Sequence, residues 1–87
     1  MIVLNYPNNP TGAMPPYDEI AVLAEIAVKR DLIVISDEVY EKIVYDCSRH
    51  YCLAALPGML ERTLVANSFS KTYAMTGLRV GYICGPR

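Results

Sequence analysis

The feature that most constrains this sequence is a continuous apolar run, "LIVIS", at residues 32–36. A strand with one face in water alternates apolar and polar residues, whereas this run shows no such alternation before its final serine. Runs of this kind are typical of parallel strands that other layers cover on both faces. The run therefore predicts an α/β fold, in which helices pack against a mostly parallel sheet.

The segments before this run predict the first elements of such a fold. "IVLN" at residues 2–5 is a short apolar run that a proline-containing loop, "YPNNPTG", ends, which predicts a strand followed by a turn. Residues 17–30 combine helical apolar spacing with acidic residues in the first turn and basic residues in the last, which predicts a helix. We expect its apolar residues to lie in the core: Ile20, Leu23, Ala24, Ala27 and Val28.

The segments after the run are less regular. Residues 53–56 predict a short helix, which Pro57 and Gly58 end. "TLVANS" at 63–68 predicts a third strand, and "RVGYICG" at 79–85 predicts a fourth. We therefore expect part of a three-layer α/β sandwich with about four strands, the first three parallel and the last antiparallel, and with flanking helices.

Composition and charge exclude several kinds of partner. Eight basic and nine acidic residues give a net charge of −1, and neither sign clusters, so we expect no nucleic acid and no anionic lipid as a partner. No apolar run approaches the roughly 18 residues of a membrane span, and the first ten residues lack a signal-peptide pattern. The three cysteines, Cys47, Cys52 and Cys84, lack the spacing of a disulfide framework. We therefore expect a cytoplasmic protein that is not bound to a membrane.

The chain is also very apolar for its length. Hydrophobic residues make up 53% of its 87 residues, and its mean hydropathy is +0.21. A chain this short buries only about 60–65% of its unfolded surface, so much of this apolar surface has no core to enter. We therefore expect the chain to be a piece of a larger structure.

Polar residues follow three of the predicted strands at the point where each strand ends. "NNPTG" follows the first strand, "DEVY" follows the second, and "NSFSK" includes the end of the third. In α/β sheets, ligands bind outside the carboxyl ends of the parallel strands. We expect this edge to bring together Asn9, Asp37, Tyr40, Ser68 and Lys71.

The chemistry of these residue types points to one cofactor. A lysine amine forms Schiff bases with carbonyl groups, and Lys71 is the lysine at this edge. An aspartate at the end of a buried strand suits a protonated ring nitrogen, and Tyr40 and Asn9 suit a phenolate oxygen. Hydroxyl groups beside the guanidinium of Arg79 suit a phosphate dianion. An aldehyde, a pyridine nitrogen, a phenolate and a phosphate occur together in pyridoxal 5'-phosphate.

Four motifs, "NNPTG", "DEVY", "SFSK" and "GLRVGY", in this order and spacing, resemble those of the fold-type I pyridoxal-phosphate enzymes, most closely the class I/II aminotransferases. The resemblance extends over essentially all 87 residues. It implies that Lys71 forms the Schiff base and moves a proton at the substrate α-carbon, and that Asp37 pairs with the ring nitrogen. It implies catalytic roles for Lys71, Asp37 and Tyr40. The implied cofactor-binding residues are Asn9, Asp37, Tyr40, Ser68, Ser70, Lys71 and Arg79, of which Ser70 is the weaker phosphate ligand.

The same resemblance implies a function and a domain organisation. The full-length protein would be an aminotransferase that transfers an amino group from an amino acid to a 2-oxo acid, and it would be a homodimer. Residues 1–87 would form part of the cofactor-binding large domain, without the small domain and the outer strands. We expect the isolated chain to fold poorly and to have little or no activity. The resemblance also implies a cis Asn9–Pro10 bond, while Tyr6 stands where the family often has asparagine.

Other functions remain as alternatives. Carbon–sulfur lyases share the first chemical steps, aminotransferase-like transcription regulators bind the same cofactor, and an inactive truncated remnant is a third possibility. "LIVISDE" resembles a Walker B strand, but the "GxxxxGK[ST]" loop that would accompany it is missing. "SFSK" matches the Ser-x-x-Lys motif of penicillin-binding enzymes, but it lacks the companion motifs and follows a strand rather than opening a helix.

Individual residues also have simpler structural interpretations. Cys47, His50 and Cys52 match no zinc-site spacing, so we expect no metal site and interpret His50 as a solvated loop residue. Taken alone, Asp37 is typical of a turn cap, Tyr40 of a packed aromatic residue, and Arg79 of a surface ion pair. Their common position at or just past strand ends favours a shared cofactor site over these separate interpretations.

Overall fold

The computed structural model describes residues 1–46 and 48–87, and its strands form a single four-stranded sheet within that part of the chain. The strands are β1 (Ile2–Asn5), β2 (Val34–Asp37), β3 (Thr63–Ser68) and β4 (Gly81–Cys84). The α-helices are α1 (Tyr17–Lys29) and the short α2 (Phe69–Thr72). Two 3-10 turns, Leu53–Ala55 and Thr76–Leu78, complete the described elements.

The strands lie in the order β1-β2-β3-β4, with β1, β2 and β3 parallel and β4 antiparallel to β3. This arrangement confirms the predicted topology. Asn5 pairs with Asp37, and Asp37 pairs with Ala66, so the parallel strands end at nearly the same level. The loops that follow these strands consequently start from one edge of the sheet.

Helix α1 covers one face of the sheet. It begins after Pro16, which suits the first turn of a helix, and it buries Ile20, Ala24 and Ala27 at helical spacing. These side chains pack in the core with the following residues: Val34, Leu53, Leu56 and Met59. The sheet and the crossover after β2 thus share one small core with α1.

The prediction that every apolar residue of this helix lies in the core is wrong. Leu23 is only partly buried, and Val28 is 40% exposed, because its side chain lies beside the turn at Gly58 rather than over the sheet. Val22 and Ile26, on the opposite side of the helix from the sheet, are also largely exposed.

The second face of the sheet is open within the described residues. Val34 and Ser36 point toward α1 and are buried, but Ile35 on the other face is only half-buried. Val3 and Ile33 are mostly exposed, and so is the whole of β4. Two of the three predicted layers are therefore present, and the expected cover on both faces of β2 is not found in this part of the chain.

Several local predictions can be compared with the structure. The Asn9–Pro10 bond is cis as expected, and the Tyr6–Pro7 bond is also cis, which was not predicted. The predicted helix over residues 53–56 is a 3-10 turn, because Leu56 already has an extended backbone before Pro57. The prediction that "SFSK" does not open a helix is wrong, since α2 begins directly after β3. No helix in the described ranges combines the length and apolar character needed to cross a membrane.

Candidate functional site

Three loops at the carboxyl edge of the sheet bring predicted site residues together. The side-chain amide of Asn9, after β1, donates a hydrogen bond to the hydroxyl of Tyr40, after β2, at 3.1 Å. The amine nitrogen of Lys71, after β3, lies 5.7 Å from the centre of the Tyr40 ring. Tyr40 therefore stands between the loops of β1 and β3 and contacts both.

The loop that carries Asn9 is held by its neighbour Asn8. The Asn8 carbonyl accepts a hydrogen bond from the Gly12 amide at 2.7 Å, and its side-chain oxygen accepts one from the Thr11 hydroxyl at 2.9 Å. The Asn8 amide group also donates to the side chain of Asn5 at the end of β1, at 3.2 Å. Gly12 has a φ of 68°, which glycine adopts without strain. Our sequence prediction missed Asn8, although asparagine in a proline- and glycine-containing turn is a signal for such bonding.

Lys71 is positioned by the junction of β3 and α2. The Ser68 hydroxyl accepts a hydrogen bond from the Ser70 amide at 3.1 Å, so it caps α2, and it donates to the Val80 carbonyl at 3.1 Å. Lys71 lies in this single helical turn, with an exposed side chain. Among the described residues it forms no ion pair, which leaves its amine available to a ligand.

Asp37 lies at the same edge of the sheet, but its carboxylate serves a structural role in this state. It accepts a hydrogen bond from the Val39 amide at 3.2 Å, as expected for a turn cap. Its backbone carbonyl also accepts from the Asn5 side chain, at 3.4 Å. Within the described chain, its carboxylate forms no ion pair and no hydrogen bond to another predicted site residue. The structure therefore places Asp37 at the predicted edge without joining it to Lys71.

The predicted phosphate ligands differ in their accessibility. Ser68 pairs with Gly81 in the sheet and contacts Val80, so it lies beside the segment that carries Arg79. Arg79 is exposed, and its guanidinium donates to the Thr76 carbonyl at 2.9 Å rather than to a carboxylate, so the surface ion-pair interpretation is wrong. Ser70 is only 8% exposed, which leaves its hydroxyl less open to a ligand than that of Ser68.

The prediction that His50 is a solvated loop residue is wrong. Its side chain is 13% exposed, and its Nε2 lies 2.8 Å from a carboxylate oxygen of Glu38, which is almost completely buried. Ser36 donates a second hydrogen bond to the same carboxylate at 2.9 Å. Sequence analysis missed this group, since His50 comes from an irregular loop. The adjacent acidic residues Asp37 and Glu38 at the end of β2 were a signal that one of them is buried, because alternation places them on opposite faces of the sheet.

The charge of Glu38 is set by two opposing effects. Burial raises the pKa of its carboxyl group, but hydrogen bonds from His50 and Ser36, together with the charge of His50, hold the pKa below its usual value. Burial and the nearby charge of Glu38 raise the pKa of the Cys52 thiol. Glu38 is therefore a buried carboxylate beside a neutral thiol. Cys47, the other cysteine of the metal interpretation, lies outside the described residues.

Comparison with known proteins identifies relatives over the whole chain. The family model described as aminotransferase class I and II matches residues 1–87. An aspartate aminotransferase of Pyrococcus abyssi is 51% identical over 85 residues, which cover 98% of this chain and 22% of that protein. An aromatic-amino-acid aminotransferase of Thermococcus litoralis is 49% identical, with the same two coverages of 98% and 22%.

Solved structures of aminotransferases also resemble this chain. The crystal structure of an aromatic aminotransferase from Pyrococcus horikoshii superposes with a TM-score of 0.93 at 52% identity, and covers 97% of this chain and 22% of its own. The N-succinyldiaminopimelate aminotransferase of Mycobacterium tuberculosis gives a TM-score of 0.93 at 49% identity, with the same coverages of 97% and 22%. The chain thus spans about a fifth of the length of the proteins that it matches. By its sequence and its fold, this chain belongs to the class I and II aminotransferase family.

Proposed function

We propose that residues 1–87 are part of the pyridoxal-phosphate-binding large domain of an aminotransferase, whose small domain and outer strands lie elsewhere in a longer protein. In this proposal the full-length protein transfers an amino group from an amino acid to a 2-oxo acid. The observation that carries the proposal is the meeting of Asn9, Tyr40 and Lys71 at the carboxyl edge of the sheet. Membership of the family, and the activities for which the relatives are named, support it.

The donor groups at this edge suit pyridoxal 5'-phosphate. Because the Tyr40 oxygen accepts its hydrogen bond from Asn9, its own proton remains free to be donated to an oxygen of a ligand. The exposed amine of Lys71 is a nucleophile for an aldehyde, and Asp37 supplies an anion for a protonated ring nitrogen. Ser68 and Arg79 offer the hydroxyl and guanidinium donors that phosphate prefers, with buried Ser70 the weakest candidate.

When bound, the cofactor supplies an electron sink for the bond that breaks at the substrate α-carbon. Lys71 would hold the cofactor at its aldehyde group and would move the proton at the substrate α-carbon. Asp37 would pair with the protonated ring nitrogen of the cofactor. Tyr40, oriented by Asn9, would donate a hydrogen bond to the phenolate oxygen and so help to hold the ring.

The substrate class remains broad in this proposal. Relatives of similar identity are named for aspartate, aromatic amino acids and N-succinyldiaminopimelate. We propose an amino acid and a 2-oxo acid as the substrates, and a homodimer in the cytoplasm as the working form of the full-length protein. Among the described residues, Cys52 and Cys84 are unpaired, which supports a reducing compartment such as the cytoplasm.

The proposal can be tested by changing Lys71 in the full-length protein. We expect Lys71→Ala to abolish the near-visible absorbance band of the attached cofactor and amino transfer from a panel of L-amino acids to 2-oxoglutarate. Lys42→Ala, which removes an exposed lysine 65% open to solvent, should leave both unchanged. An unaltered band in Lys71→Ala would contradict the proposal. If the unmodified protein releases a thiol and does not transfer an amino group, its function is that of a carbon–sulfur lyase and not that of an aminotransferase.

A further inference from the structure

A buried carboxylate lies directly behind the proposed site. Glu38 follows Asp37 in the chain, is 2% exposed, and points to the face of the sheet that α1 covers. A buried carboxylate is costly unless donors surround it, and this one has two: Ser36 at 2.9 Å and His50 at 2.8 Å. A core position that an apolar residue would fill at lower cost therefore carries a hydrogen-bonded charge.

The surroundings of Glu38 favour a hydrogen-bonded pair over other roles. His50 faces it from the loop before the first 3-10 turn, and the Cys52 thiol faces it from the start of that turn. Glu41 lies nearby, with the potential ligand atoms of Glu38, Glu41 and His50 within 4.8 Å of one another. Glu38 Oε2 and His50 Nε2 already contact each other at 2.8 Å, whereas His50 Nδ1 is buried and has no hydrogen-bond partner among the described residues.

The backbone of Glu38 belongs to the turn that carries the proposed cofactor ligands. Its amide donates to the Ala66 carbonyl of β3 at 2.9 Å, and its carbonyl accepts from the Glu41 amide at 2.9 Å. Asp37 precedes it, and Tyr40 lies inside the turn that these bonds close. The side chain of Glu38 fixes this turn to the loop at His50, twelve residues later in the chain.

We propose that Glu38, held by His50 and Ser36, is a positioning residue that fixes the 37–41 turn so that Asp37 and Tyr40 face the cofactor. The inference rests on the proposed function, because it is through those two residues that Glu38 acts. Asp37 and Glu38 thus have different roles on the two faces of the sheet at the end of β2. Asp37 faces the ligand, and Glu38 holds the turn from the face that α1 covers.

The test is hydrogen exchange of the 39–41 amides in the cofactor-free full-length protein, followed by the dissociation constant for pyridoxal phosphate. Loss of hydrogen bonds to a buried charge costs enough to predict about tenfold faster exchange in Glu38→Ala, and a similar increase in the dissociation constant. Glu38→Gln can still bond Ser36 and His50, so it should lie within about threefold of the unmodified protein. Asp31→Asn, which removes an exposed carboxylate paired with Arg62 at the other end of β2, is the matched control and should change neither value.

The outcomes separate this inference from the proposed function. Two results would overturn a positioning role for Glu38. In the first, the 39–41 amides exchange at the same rate in Glu38→Ala as in Asp31→Asn; in the second, exchange in Glu38→Ala becomes faster by the same factor over the whole sheet. If Glu38→Ala does not fold, Ser36→Ala decides, since it removes one donor and only one oxygen atom. If exchange in Ser36→Ala is about threefold faster and only in the 37–41 turn, the result supports the inference. If exchange in Ser36→Ala does not change, the result overturns it. Failure of the unmodified protein to bind pyridoxal phosphate would refute the proposed function, whereas the exchange measurement does not depend on the cofactor.

Discussion

At the scale of single residues, Asp37 combines a structural contact with a proposed chemical role. Its carboxylate accepts the Val39 amide, and the side-chain oxygen of asparagine can accept the same hydrogen bond. In the full-length protein, Asp37→Asn should therefore keep its stability within about 0.5 kcal/mol and still bind the cofactor. Because the negative charge is lost, removal of the substrate α-proton should slow at least about a hundredfold. Stopped-flow spectroscopy with an amino acid donor measures this step.

Asp31→Asn is again the control for this change, since Asp31 is an exposed partner of Arg62 at the far end of β2. It makes the same chemical substitution without approaching the site, and should react at the unmodified rate. A normal rate in Asp37→Asn would remove Asp37 from the proposed mechanism. A large loss of stability would instead show that its charge, and not only its hydrogen bond to Val39, holds the turn.

The contacts at this edge of the sheet differed in how far the sequence could predict them. Asn9, Tyr40 and Lys71 were expected to converge because each follows a strand end, and their contacts confirm that they do. The bond between Glu38 and His50 joins residues across an irregular loop without periodicity, so no pattern predicted it. The sequence therefore indicates which residues reach a strand edge, but not which distant side chain satisfies a buried charge.

At the scale of elements, the β3–β4 pair depends on the absence of a side chain at Gly81. A Cβ atom there would lie 2.9 Å from the Asn67 carbonyl oxygen, a backbone atom that cannot move without opening the pair. We expect Gly81→Ala to destabilise the full-length protein by about 1–3 kcal/mol. It should also weaken cofactor binding, because Ser68 pairs with Gly81 and Arg79 precedes it by two residues. Thermal melting and titration with pyridoxal phosphate measure the two effects.

Gly77 provides the matched glycine control. No atom lies within 4 Å of the position that its Cβ would take, so Gly77→Ala should be neutral or stabilise by up to about 1 kcal/mol. Equal melting temperatures for the two alanine variants would contradict the steric argument at Gly81.

The bounds of an element were predicted most accurately where turn-forming or polar residues mark its end. The bounds of β1 and β3 agree with the structure, because a proline-containing loop follows the first and a polar segment ends the second. Strand β2 was expected at residues 32–36 and is found at Val34–Asp37, since Leu32 still bonds to the end of α1 through its amide. The exposed apolar residues of α1 were assigned to the core because helical spacing alone does not show how wide the covered face is.

At the scale of the whole molecule, the chain exposes more surface than a folded monomer of its size. Its accessible surface is 6017 Å², whereas the size law for folded monomers gives about 5,100 Å² for 9.7 kDa. The exposed residues include large apolar side chains on the open face and edge of the sheet, such as Val3, Ile33 and Ile83. An apolar area of this kind marks a surface that other protein segments cover.

The isolated 87-residue chain should therefore lack a cooperative fold of its own. Its thin core and open sheet face leave little hydrophobic stabilisation to offset the conformational entropy of the chain. We expect its circular dichroism to change gradually with urea, and a dye specific for exposed apolar surface to bind it strongly; the full-length protein should unfold cooperatively and bind little dye. Amino transfer by the isolated chain should be undetectable. A sharp unfolding transition or robust amino transfer by the 87 residues alone would show that the open face needs no cover, and that the site is complete within this chain.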